Sequence, residues 1–236
     1  MEIKIFASKK EVAKNFSDFL EELIESNGSA HIALSGGSTP KEVFDFMAAN
    51  YKGVNWANAH FYWGDERCVP PTDAESNYKM TVDHLLSKID IPQENIHRVF
   101  GEDQPAGEAK RYAKLLREKL PMVNDTPQFD LVILGMGDDG HTASIFPHEI
   151  ELWNAKDFCE VAVHPDSGQR RITLTGKVIN NAKTVAFLVT GKGKAEKVTK
   201  IINEEPGSHV YPASLVAPAT DNLIWFLDEE AAAGII

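Results

Sequence analysis

Short apolar runs alternating with amphipathic helical stretches dominate this chain, and that alternation limits the folds open to it. Ser8, with Glu11 three residues on, has the pattern of a capping box. Val12, Phe16, Phe19, Leu20, Leu23 and Ile24 then recur at helical spacing up to Asn27-Gly28. A compact apolar run follows, His31-Ile32-Ala33-Leu34, then a glycine turn, then a helix opened by Pro40 and patterned through Val43, Phe44 and Met47. The order repeats. Residues 60–63 read as a strand leading into a polar loop, 64–77, and a helix that ends near Leu86. A helix over about 106–120 precedes the most strand-like run of all, 129–134, and 161–163, 171–175, 185–189 and 223–227 are further strands. Short apolar strands separated by helices predict an α/β fold, a mainly parallel sheet with helices on both faces. No fixed-period repeat, low-complexity tract or Gly/Ser/Pro-rich linker divides the chain, so residues 1–236 are expected to form a single domain.

Composition excludes several functions. At 236 residues, 43% hydrophobic and 25% charged, the chain is neither a small stapled scaffold nor disordered. The balance of 24 Lys+Arg against 35 Asp+Glu gives −11, the wrong sign for a phosphate backbone, so nucleic acid is not an expected partner. Cys68 and Cys159 stand alone, which suggests neither a disulfide framework nor a cysteine zinc site. No apolar run approaches the roughly 18 residues that cross a bilayer. A cytoplasmic protein with no membrane partner is the expectation.

In such a sheet a ligand sits beyond the C-terminal strand ends, so the loops that follow strands are where chemistry is sought. The first is Ser35-Gly36-Gly37-Ser38-Thr39-Pro40-Lys41. Its glycines let the backbone approach a ligand, Ser38 or Thr39 can cap the helix opened by Pro40, and the free N–H groups of that turn favour an anion such as phosphate. It is not a Walker A loop, lacking G-x-x-x-x-G-K-S/T, and an ordinary capped turn is the plainer alternative. The second loop, Gly64-Asp65-Glu66-Arg67, sets two acids beside an arginine. Arg67 is either one half of an ion pair or a bidentate phosphate clamp.

The third loop is Gly135-Met136-Gly137-Asp138-Asp139-Gly140-His141-Thr142-Ala143-Ser144, whose glycines spell G-x-G-x-x-G directly after a strand. The dinucleotide reading fails, because Asp138 and Asp139 repel a pyrophosphate and Pro147 comes too soon for the long helix that reading requires. What stands out is His141 with Asp139 two residues earlier: an imidazole suited to general-base work near neutral pH, and a carboxylate to orient it. No G-x-S-x-G elbow is present, so the pair points to direct activation of water, the plainer alternative being a histidine hydrogen-bonded in a tight turn. His141 and His148 have the wrong spacing for H-E-x-x-H and a third ligand is not evident, so no metal is expected.

Taken together, Leu34-Ser35-Gly36-Gly37-Ser38-Thr39-Pro40, Trp63-Gly64-Asp65-Glu66-Arg67 and the segment from Leu134 to Pro147 closely resemble the 6-phosphogluconolactonase family. So do Arg171-Ile172-Thr173-Leu174-Thr175 and Gly191-Lys192-Gly193-Lys194-Ala195, and the resemblance spans nearly the whole chain in the family's order. It implies a Rossmann-like sheet and hydrolysis of 6-phosphoglucono-δ-lactone to 6-phosphogluconate, the second step of the oxidative pentose phosphate pathway, without a cofactor. It also implies a site for the 6-phosphate built from Ser35, Gly36, Gly37, Ser38, Thr39, Arg67, Arg171 and Lys194. His141 is the expected base and Asp139 its orienting group. Glucosamine-6-phosphate deaminases, in the same superfamily, follow Asp-Gly-His with Ile-Ala-Phe-Asn-Glu-Pro and carry Asp-Glu-Tyr. Here Phe146 takes the glutamate's place and Asp65-Glu66-Arg67 replaces the other triplet, and both departures point to the lactonase. A sugar-phosphate isomerase and a non-catalytic sugar-phosphate-binding module are the alternatives, and the sequence leaves open monomer or homodimer.

Overall fold

The computed structural model describes residues 1–235. A first strand, β1 (Glu2–Phe6), leads into α1 (Lys9–Ser26). Ser8 caps α1 by accepting from Glu11 N at 3.3 Å, while Glu11 Oε2 accepts from Ala7 N at 3.1 Å, so the box closes one residue earlier than the pattern implies. Then come β2 (Ala30–Leu34), α2 (Ser38–Asn50), β3 (Ala59–Trp63), β4 (Asp65–Arg67), α3 (Asn77–His84), β5 (Ile96–His97) and α4 (Pro105–Lys119). A small hairpin, β6 (Met122–Val123) with β7 (Thr126–Pro127), precedes β8 (Leu131–Leu134), β9 (Cys159–Val163), β10 (Arg170–Leu174), α5 (Gly176–Ile179), β11 (Thr184–Val189), α6 (Ala195–Ile202) and β12 (Leu223–Asp228).

Seven strands form the central sheet in the order β1-β12-β11-β8-β2-β3-β5, and every neighbouring pair is parallel. Leu131, Val132, Ile133 and Leu134 are each at most 1% exposed, which requires cover on both faces of β8. The α/β class expected from the alternation is therefore the observed one. No helix among the described residues is long and apolar enough to cross a membrane.

Two expectations need correction. The strands read at 161–163 and 171–175 exist, but β9 and β10 lie outside the parallel sheet, in an antiparallel three-stranded sheet ordered β4-β10-β9. Its third member, β4, falls inside the stretch read as a polar loop. Asp-Glu-Arg carries no apolar alternation, and its extended form is fixed by pairing with β10, a partner about a hundred residues away in sequence.

The strand order positions the site. From β2 the chain winds outward through β3 to β5, then returns to lay β8 on the other side of β2 and continues through β11 to β12. Winding therefore reverses between β2 and β8, and the loops leaving their C-terminal ends diverge to open a crevice. The small antiparallel sheet adds β4 and β10 to its wall.

Candidate active site

The loop after β2 turns on Gly37, whose φ of +102° is open to glycine and strained for other residues. Gly37 is also the N-cap of α2, and no side chain caps that helix. The expected capping by Ser38 or Thr39 is not made, because both already lie within the helix. Thr39 Oγ1 instead sits 2.8 Å from Thr190 Oγ1, tying the loop to the end of β11. The first-turn N–H groups of α2 are thus left to whatever enters the crevice, and the helix dipole favours an anion there.

Pairing of β4 with β10 places Arg67 directly opposite Arg171. Cross-strand partners share a face, and like charges so placed repel. Arg67 Nη1 donates to the Glu75 carbonyl at 2.8 Å, and its buried Nε has no partner. Arg171 Nε donates to Gln169 Oε1 at 3.2 Å. Among the described residues the arginine salt bridges belong to Arg98 and Arg111, so neither cation here is neutralised by a carboxylate. Burial, and then the charge of Arg67, push the Arg171 guanidinium below its ordinary value. Two opposed guanidinium groups, neither in a salt bridge, have the chemistry of an anion receptor.

The acids beside Arg67 do other work. Glu66, 2% exposed, accepts from the backbone N–H groups of Arg67, Asn77 and Tyr78 at 2.7–2.8 Å and from Ser76 Oγ at 3.1 Å, which pins the start of α3. Asp65 Oδ2 accepts from Ser144 Oγ at 2.7 Å, and the Asp65 carbonyl accepts from Asn77 Nδ2 at 3.0 Å. The ion-pair alternative for Arg67 is therefore not what the sequence triplet forms.

In the loop after β8, His141 Nδ1 lies 2.6 Å from Asp139 Oδ1, and the same oxygen accepts from His141 N at 3.1 Å. Burial on its own raises the Asp139 carboxyl, but the hydrogen bonds and charge of His141 outweigh it and hold the group at about 2. Gly137 makes the approach possible: a Cβ there would stand 2.2 Å from His141 Nδ1 and 2.7 Å from Asp139 Oδ1. Ala143 holds a φ of +48°, a left-handed conformation uncommon outside glycine, at the cleft wall. Phe146, fully buried, packs its ring 4.6 Å from the His141 ring, and the Arg171 guanidinium carbon lies 5.5 Å from the centre of the Phe146 ring. One apolar plate supports both the imidazole and a cation.

Ser35 through Thr39, Arg67, Arg171, His141 and Lys194 all line one cleft of about 200 Å³. Asp139 stands behind the imidazole rather than on the cleft wall, in the place of an orienting group. Lys194 reaches the cleft from the turn after β11, with its ammonium 2.5 Å from Asp138 Oδ1. Sequence reasoning noted Asp65 only as a neighbour of Arg67 and missed Asn77 and Thr190, all three of which also line the cleft. Ser76, the N-cap of α3, was a local signal next to Asn77, but nothing local brings that helix to the glycine loop. Among the described residues no cluster of three or more His, Cys, Asp or Glu is placed to hold a metal ion.

A parallel sheet with an imidazole and two opposed arginines at its switch point has the architecture of the α/β proteins that bind ligands in that crevice. Comparison with known proteins narrows the class. The family model for glucosamine-6-phosphate isomerases/6-phosphogluconolactonase matches residues 6–225, and the chain belongs to that family. It is 45% identical over 208 residues to the 6-phosphogluconolactonase of Haemophilus influenzae, covering 87% of each chain. To that of Treponema pallidum it is 41% identical over 209 residues, covering 88% of this chain and 87% of the relative. The crystal structure of devB protein superposes with a TM-score of 0.94 at 44% identity, over 100% of this chain and 99% of that one.

Proposed function

We propose that this chain is a 6-phosphogluconolactonase, hydrolysing 6-phospho-D-glucono-1,5-lactone to 6-phospho-D-gluconate in the oxidative pentose phosphate pathway of the cytoplasm. The observation that carries the reading is the placement of a carboxylate-backed imidazole, His141 with Asp139, in the same cleft as the opposed pair Arg67 and Arg171. The names of the similar proteins point the same way.

A lactone is an internal ester that already hydrolyses slowly in water, so catalysis asks for positioning, a base and charge stabilisation rather than a covalent intermediate or a cofactor. With Nδ1 committed to Asp139, the His141 nitrogen free to act is Nε2. In the proposed reaction, water adds to the lactone carbonyl as Nε2 takes its proton. Asp139 stabilises the imidazolium and holds its plane. The bond from the carbonyl carbon to the ring oxygen then breaks, Nε2 returns the proton to that oxygen, and the open-chain acid is released. The 6-phosphate rests against the first-turn N–H groups of α2, with Arg67, Arg171 and Lys194 as its counter-charges.

Phe146 supports this reading over a sugar-phosphate isomerase or deaminase: its ring, buried beneath His141, has no proton to exchange. The test is a coupled assay on freshly generated 6-phosphogluconolactone, corrected for spontaneous hydrolysis, beside an ammonia assay on glucosamine 6-phosphate. Turnover well above background in the first and none in the second is expected; no rate above background in the first refutes the proposal.

A further inference from the structure

The cations of the cleft are not equivalent. Arg67 and Arg171 face one another across β4 and β10, and the arginine salt bridges among the described residues lie elsewhere, at Arg98 and Arg111. Lys194 is matched: its ammonium lies 2.5 Å from Asp138 Oδ1, a contact that joins the loop after β8 to the turn after β11. The two partners differ in exposure. The Lys194 side chain is 24% exposed and the Asp138 side chain 84% exposed. An ion pair with one partner standing so far into water is worth no more than about a fivefold factor in an equilibrium, and salt screens it. A phosphate group brings more charge and more acceptor oxygens to the same ammonium, so it is the stronger partner.

From this geometry we infer that Asp138 is a built-in counter-anion for Lys194, occupying the ammonium until the anionic part of a ligand displaces it. The pair keeps Lys194 directed at the cleft while lowering the affinity of that cation for any anion. The consequence bears most on product. Hydrolysis turns an uncharged ester into a carboxylate, so the product carries one more negative charge than the substrate, and an unmatched lysine would hold it longer. The product argument rests on the proposed lactonase reaction; the exchange of Asp138 for an anion does not.

The test is calorimetric binding of inorganic phosphate and of 6-phosphogluconate to the full-length chain at low salt. It compares wild type, Asp138→Asn, Lys194→Met and the double variant. Asp138→Asn is expected to tighten both ligands by about two- to fivefold, with the gain shrinking at high salt and vanishing in the Lys194→Met background. Damage to the loop would weaken binding, and a general loss of negative charge would tighten it even without Lys194. Unchanged or weaker binding by Asp138→Asn, or a gain that survives Lys194→Met, overturns the inference. Tightened phosphate binding in a chain that shows no lactonase turnover leaves the inference standing and retires the proposed reaction.

Discussion

Gly137, on the cleft wall, and Asp139, behind the imidazole, take no part in bond making or breaking in the proposed reaction, yet both fix where His141 points. Gly137→Ala forces a Cβ to within 2.2 Å of the imidazole's present position, so the ring must swing away. A shift of that order costs roughly 10²-fold in kcat, with KM little altered, and steady-state kinetics on the purified variant check it. Asp139→Asn keeps the shape but removes the charge that stabilises the imidazolium, and a loss of about 10²–10⁴ in kcat is expected. Asp139, held at about 2, stays ionised through neutral and weakly acidic pH. Its lowered value contributes stability that is complete above the ordinary 3.8 and lost only as pH falls toward 2. His141, Asp139 and the glycine loop were legible in the sequence because their geometry is local. The imidazole and its carboxylate are two residues apart, and the turn after β2 is spelled out in consecutive positions.

The opposition of Arg67 and Arg171 was not legible, since it depends on β4 pairing with β10, and neither the polar triplet nor its distant partner advertises that pairing. Family resemblance named both residues; only strand register shows that they face one another. The same register places Asp65 beneath Ser144, so the short strand that carries Arg67 also braces the loop that carries His141. Ser144→Ala removes a buried hydrogen bond to a carboxylate and leaves Asp65, 6% exposed, short of a partner. A loss of about 1–3 kcal/mol in unfolding free energy is expected, read by urea denaturation. An unchanged midpoint would show that the brace is idle. The helix caps illustrate a related limit: Ser8 caps α1 as its pattern predicts, whereas Ser38 and Thr39 were drawn into α2 because Gly37 alone can make the turn.

A second titratable cluster lies on the sheet outside the cleft. His31 and His60, each second in its strand, and His97, the last residue of β5, lie on adjacent strands β2, β3 and β5 and stack with ring centroids 5.0 Å and 5.8 Å apart; none of the three lines the cleft. Burial lowers all three, and for His97 burial followed by the charges of His60, Lys119 and His31 brings the value to about 4. His97 Nε2 has no partner among the described residues. A histidine whose folded value lies below its unfolded 6.5 binds fewer protons in the fold than in the unfolded chain between those values. Stability is therefore complete above about 6.5 and declines as pH falls toward 4. His97→Phe keeps the stack on Tyr62, now 4.4 Å away, and removes the proton site. Thermal melts across that pH range should show a flatter dependence for the variant. Curves of equal slope would discharge His97 from this role. The topology was foreseen in class from the strand and helix alternation. The reversal between β2 and β8 was not, because strand order depends on contacts that no local pattern encodes.

The division of labour within the cleft is most directly exposed by steady-state kinetics on 6-phosphogluconolactone for wild type, His141→Ala and Arg67→Ala side by side. His141→Ala is expected to lose about 10²–10⁴ in kcat with KM nearly preserved, and Arg67→Ala to show its loss mainly as a raised KM. Wild-type turnover by His141→Ala, or an unchanged KM for Arg67→Ala, would contradict the assignment of base and phosphate grip to these residues.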